Sequence, residues 1–83
     1  MAQTVIRVGV VDDDAMLREG MGAWFSSLPD LVIAASAGSL SDLLAGTPEL
    51  DVVLLDLNLR DFSQPAANVK ALVSKGYRVL IVS

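Results

Sequence analysis

Two short carboxylate runs hold the chemistry of this 83-residue chain. One is Val10-Val11-Asp12-Asp13-Asp14, the other Val52-Val53-Leu54-Leu55-Asp56, and in each an apolar β-type stretch ends in acid. Like charges gathered at the ends of buried strands repel one another, so a fold that brings them there needs a reason. A hard divalent cation supplies one, because Mg²⁺ takes oxygen ligands and is held by one or two carboxylates together with phosphate and water. That combination points toward phosphoryl chemistry. The first run has a plainer reading beside it. Asp14 suits the N-cap of a following helix, and acids near a helix N-terminus are favoured by its dipole.

The elements that must carry these acids are legible from periodicity. Residues 6–11, 31–35, 51–55 and 78–82 are short, near-continuous apolar runs rich in β-branched residues, the pattern of strands buried on both faces of a parallel sheet. Helical spacing fills the gaps. Leu17, Met21, Trp24, Phe25 and Leu28 form one stripe that Pro29 ends, and Trp24 and Phe25 read as core residues. Leu40, Leu43 and Leu44 form a second, with Ser39 as N-cap and Gly46 at the C-terminal end. Pro65, Val69, Leu72 and Val73 form a third, opened by proline and closed by Gly76, after which Tyr77 packs at the start of the last strand. The order β-α-β-α-β-α-β predicts an α/β fold, a doubly wound parallel sheet with strand order 2-1-3-4. In such sheets the site lies outside the carboxyl ends of the strands where the order reverses. Here that is between strands 1 and 3, the two that end in acid.

Composition narrows the function. The net charge of −4 and six scattered basic residues argue against nucleic-acid binding by this segment. Cysteine and histidine are both absent, so there is no disulfide framework and any histidine chemistry must come from another molecule. No apolar run approaches a membrane span and no signal peptide is visible, which makes the cytoplasm the expected compartment. Apolar residues make up 53% of the chain and mean hydropathy is +0.56, high for a domain this small. The excess predicts a fragment or a chain that covers apolar surface with a partner, as a homo-oligomer or by strand exchange. The chain stops at Ser83 directly after a strand, which predicts a C-terminal truncation.

The segments Ile6-Arg7-Val8-Gly9-Val10-Val11-Asp12-Asp13-Asp14, Leu17-Arg18-Glu19-Gly20, residues 51–59 and Val79-Leu80-Ile81-Val82-Ser83 together resemble the receiver domain of two-component response regulators. The Leu-Arg-Glu-Gly segment looks most like regulators that carry a LuxR-type helix-turn-helix output domain. The resemblance implies a flavodoxin-like fold, with residues 1–83 an incomplete N-terminal portion lacking the fifth strand and last helices. It implies that Asp56 is the phospho-acceptor for a sensor histidine kinase. Asp12, Asp13, Asp56 and the backbone carbonyl of Asn58 would hold Mg²⁺, and Ser83 would be the switch hydroxyl. DNA would be reached only through an output domain in the full-length protein, and the segment would be no enzyme beyond its own phosphotransfer and dephosphorylation. Where the family usually has proline after Asn58-Leu59, this chain has Arg60-Asp61-Phe62-Ser63-Gln64. Two alternatives stand beside the receiver. One is a pseudo-receiver that serves protein interaction without phosphorylation. The other, ranked last, is a Mg²⁺-dependent phosphohydrolase, disfavoured because Asn58 stands where that class has a second aspartate.

Overall fold

The computed structural model describes residues 5–46, 49–56, 59 and 64–82. Its elements run β1 (Ile6–Val11), α1 (Ala15–Phe25), β2 (Leu31–Ala37), α2 (Leu40–Ala45), β3 (Val52–Asp56), α3 (Pro65–Ser74) and β4 (Arg78–Val82). All strand pairs are parallel and the order is β2-β1-β3-β4, the flavodoxin-like arrangement the sequence predicts. β1 and β4 keep their predicted bounds. β2 runs two residues further than its apolar pattern, because Ser36 and Ala37 continue to pair with Val10 and Val11.

Strand parity divides the side chains between two layers. Val11, Val53 and Leu55 point toward α2 and α3 and form a core with Leu40, Leu43, Leu59 and Leu72. Val8 and Val10, also buried, point to the opposite face, where α1 lies. Gly9 gives room for a close approach: a Cβ there would come 2.5 Å from Leu50 Cδ1, and that side chain would have to shift. β2 serves both layers. Its pairing with β1 slips between Val8 and Gly9, so Ile33 partners Val8 whereas Ala35 partners Gly9, and Ala34 is the extra residue. Beyond this bulge Ala35 and Ala37 pack on the α2–α3 core, while Leu31 and Ile33 line a groove against α1.

The helix ends follow local chemistry. Ser39 Oγ accepts from Asp42 N at 3.2 Å to start α2. α3 closes on a Schellman-type turn: Tyr77 N donates to Leu72 O at 3.1 Å and Gly76 N to Val73 O at 3.0 Å. Gly76 sits there at φ +89°, a conformation that favours glycine. α1 stops at Phe25, ahead of Pro29. The hydroxyls of Ser26 and Ser27 donate back to the carbonyls of Ala23 (2.6 Å) and Trp24 (2.7 Å) and satisfy the final turn.

One expectation is corrected here. Trp24 is not a core residue: it is 65% exposed, its ring edge-to-face with Phe25 at 5.2 Å, and α1 contains no fully buried residue. α1 leans on the β1–β2 half of the sheet, with Arg18, Gly22 and Phe25 toward β2. The Leu17–Trp24 side of its stripe is left facing away from that contact, with Leu17 half exposed. Tyr77 does pack against the core as predicted. No helix among the described residues is long and apolar enough to cross a membrane.

Candidate functional site

β1 and β3 are neighbours in register, with Val11 opposite Leu55. The next residue of each strand is an acid, so Asp12 and Asp56 emerge level with one another at the carboxyl edge. Asp12 extends β1 by one further step, its N–H donating to Ala37 O at 3.1 Å. The side chain is buried, and its Oδ1 accepts from Asp14 N at 2.9 Å. Asp14 in turn caps α1, Oδ1 accepting from Met16 N (3.0 Å) and Leu17 N (3.2 Å), which is the role its position predicts. The Arg18 guanidinium reaches back one turn and donates to the carbonyl oxygen of Asp12. Strand end, turn and first helical turn are thereby tied into one unit.

Asp13 follows on this fixed turn. Carboxylate oxygens of Asp12, Asp13 and Asp56 all lie within 4.8 Å of one another, Asp12 buried and the other two half-buried. A donor set of carboxylate oxygens suits a hard cation. Ligands on opposite sides of an octahedral Mg²⁺ stand about 4.1 Å apart, twice its ~2.05 Å bond length. The three acids therefore have the type and spacing to bind a metal, with little rearrangement. Sequence reasoning brought these three together correctly. Asn58, Arg60 and Ser83 lie outside the described residues.

Two further features escaped the sequence. Asn68 on α3 is buried, the one polar residue besides Asp12 in that state among the described residues. Its place on an amphipathic helix beside Val69 gave no signal. A cavity of about 370 Å³ opens at the opposite, amino end of the strands, among Arg7, Glu49, Asp51, Lys75 and Tyr77. Its polar groups serve the fold: Arg7 Nε donates to Glu49 O and Arg7 N to Asp51 Oδ2, both at 2.7 Å, pinning the entry to β3 beside β1.

No protein-family model matches the sequence. Among curated proteins, the chain is 30% identical over 80 residues to a protein-glutamate methylesterase/protein-glutamine glutaminase of Rhodopseudomonas palustris, covering 94% of this chain and 21% of that protein. The chain thus spans about a fifth of the length of the curated relatives it matches. Among solved structures, it superposes on a chain of the complex between the phosphorylated P1 domain of CheA3 and CheY6 from R. sphaeroides, with TM-score 0.77 and 24% identity, over 94% of this chain and 72% of that one. It also superposes on the response regulator ChrA of a heme-sensing two-component system, with TM-score 0.75 and 28% identity, over 95% of this chain and 38% of that one. Sheet order, acids grouped at the carboxyl edge, and these likenesses together support one reading of the chain, a receiver (CheY-like) domain of response regulators.

Proposed function

We propose that this chain accepts a phosphoryl group on Asp56 from a sensor histidine kinase and so works as the input switch of a response regulator. A carboxylate oxygen of Asp56 attacks the phosphorus of a phosphohistidine on the kinase. The new P–O bond forms as the P–N bond breaks, and the imidazole leaves with the electron pair and takes up a proton. The chain contains no histidine, in keeping with a donor on another protein. Such transfer asks the protein mainly for position and charge neutralisation.

Asp12, Asp13, Asp56 and the backbone carbonyl of Asn58 would hold Mg²⁺. When bound, the ion neutralises phosphoryl oxygens and the acids around them. Asp12 is kept in place by its own bond from Asp14 N and by Arg18 on its carbonyl. Ser83 donates a hydrogen bond to the phosphoryl group after transfer. On this reading residues 1–83 are the amino-terminal part of a cytoplasmic receiver whose full-length protein switches a LuxR-type DNA-binding domain. Self-association belongs to the same reading, and the segment is no enzyme beyond its own phosphotransfer and dephosphorylation.

The observation that carries the proposal is the level emergence of Asp12 and Asp56 from paired strands, with the three acid side chains within 4.8 Å. In the full-length protein, acetyl phosphate with Mg²⁺ should add the mass of one phosphoryl group, as a hydroxylamine-sensitive acyl phosphate, and chelation or Asp56→Asn should abolish it. Label that survives in Asp56→Asn removes Asp56 from the role. A full-length wild-type protein that never takes label is a protein-interaction module instead.

A further inference from the structure

We propose that Arg18 sets the ion preference of the acid site. By fixing the peptide between Asp12 and Asp13, it favours Mg²⁺ over the larger Ca²⁺. The inference rests on the reading of Asp12, Asp13 and Asp56 as a metal site and deepens it, naming a positioning residue outside the ligand set. Spacing does not choose between the two ions. Mg²⁺ sits at about 2.0–2.1 Å from its oxygens in a near-ideal octahedron, so opposite ligands stand about 4.1 Å apart. Ca²⁺ sits at about 2.3–2.6 Å and accepts irregular shells, so the same span is roughly 4.6–5.2 Å. Carboxylate oxygens that all lie within 4.8 Å of one another fall inside the reach of either ion. Firmness of the ligands is what remains to decide, because a yielding set suits Ca²⁺ and penalises Mg²⁺.

That firmness has to be supplied at one peptide bond. Consecutive residues of an extended strand point to opposite faces. Asp12 and Asp13 therefore converge on one ion only through the bend of the chain at Asp13. The peptide that joins them carries the Asp12 carbonyl, and its orientation aims the Asp13 side chain. Asp12 N still belongs to the ladder, donating to Ala37 O at 3.1 Å. A parallel ladder carried one step further would bring Ser39 N to the Asp12 carbonyl. Ser39 instead opens α2 as its N-cap, and the Arg18 guanidinium donates to that carbonyl. Arg18 closes the ladder where the strand stops.

Arg18 is itself held from several sides. Its N–H donates to Asp14 O at 3.0 Å, which locks it into the first turn of the helix that Asp14 caps. The residue is half-buried along the groove between α1 and β2, beside Gly22, Phe25 and Ile33. Its head lies against the turn from β2 to α2: a Cβ at Gly38 would stand 3.4 Å from Arg18 Nη1 and 4.0 Å from Asp13 Cα. One side chain thus joins the turn that bears the acids to the turn beside it. All of these contacts lie within β1, α1, β2 and the turns that follow β1 and β2.

Arg18→Met keeps an apolar stem and removes the donor. Loss of a nearby positive charge by itself raises the affinity for any divalent cation. Both ions carry the same charge, so that effect cancels in the ratio of their affinities. The assay is displacement of Mn²⁺ from the full-length protein by Mg²⁺ and by Ca²⁺, read as free Mn²⁺ by electron paramagnetic resonance. Arg18→Met should lower the Mg²⁺-to-Ca²⁺ affinity ratio by about fivefold or more, with an unchanged circular dichroism spectrum. Arg18→Lys keeps the charge and a donor but loses the planar fork, and should lower the ratio by about twofold. Lys70→Met, at an exposed position of α3, should leave the ratio as it is. A folded Arg18→Met with the wild-type ratio overturns the role of Arg18, and so does an equal fall in Lys70→Met. Should Arg18→Met not fold, a wild-type ratio in Arg18→Lys overturns it. Failure of the underlying reading is seen separately: a wild type that binds no Mn²⁺, or binds it as well after Asp13→Asn, removes the metal site itself.

Discussion

Asp13→Asn should make the chain more stable without metal and indifferent to Mg²⁺. The Asp12, Asp13 and Asp56 oxygens lie within 4.8 Å of one another. Two unit charges at that distance repel by ~0.9 kcal/mol in bulk water and ~3.5 kcal/mol at the effective dielectric of a protein surface. Salt with a screening length of ~8 Å roughly halves the solvated figure. Asp13 is half-buried and faces two such neighbours, so removing its charge should stabilise the fold by about 1–2 kcal/mol, the asparagine oxygen still serving as an acceptor. In the wild type, Mg²⁺ at a hundred times its dissociation constant should add about 2.7 kcal/mol. The assay is urea unfolding followed by circular dichroism, in chelator and across a Mg²⁺ series. The reasoning fails if Asp13→Asn unfolds earlier than wild type in chelator, because the three acids would then not be in net repulsion. It fails equally if Mg²⁺ stabilises variant and wild type alike.

Three further outcomes follow from the packing. Leu72→Ala empties a fully buried position and should cost about 2–5 kcal/mol. For a chain of this length the whole stability is about 4–12 kcal/mol, so its urea midpoint should fall by a large fraction or the fold should be lost. Asp14→Ala removes the acceptor of two α1 N–H groups and should cost about 1 kcal/mol; an unchanged midpoint would show the cap to be replaced by water. Gly9→Ala sets a methyl 2.5 Å from Leu50 Cδ1 and should destabilise by about 1–3 kcal/mol in the same assay. A neutral result there would mean that Leu50 swings aside.

The acids were legible because their position is a one-dimensional fact. Val8 to Val11 and Val52 to Leu55 are runs that only a strand buried on both sides explains, and Asp12 and Asp56 come next in sequence. Once the strands are neighbours, the acids must meet. Caps were legible for the same reason: Asp14 and Ser39 act on N–H groups two or three residues away. What failed was the question of which side of a helix meets the sheet. Leu17, Met21 and Trp24 form a stripe in any frame, but the tilt of α1 toward β2 depends on packing between elements far apart in sequence. The tie from Arg18 to the Asp12 carbonyl was equally hidden, since nothing in an arginine four residues into a helix names its acceptor.

Ala34 gives β2 a grammar of its own. Elsewhere in the sheet, removing one residue from within a strand would turn every side chain after it to the other layer. In β2 the extra alanine is the point at which odd and even positions exchange layers: Ile33 reads toward α1, and Ala35 and Ala37 read toward α2 and α3. Small residues follow it because the space beside Gly9 and Val11 is already filled by Leu43 and Leu50. Excising Ala34 would therefore restore plain alternation and leave Ala35, Ser36 and Ala37 opposite Gly9, Val10 and Val11, each on its present layer.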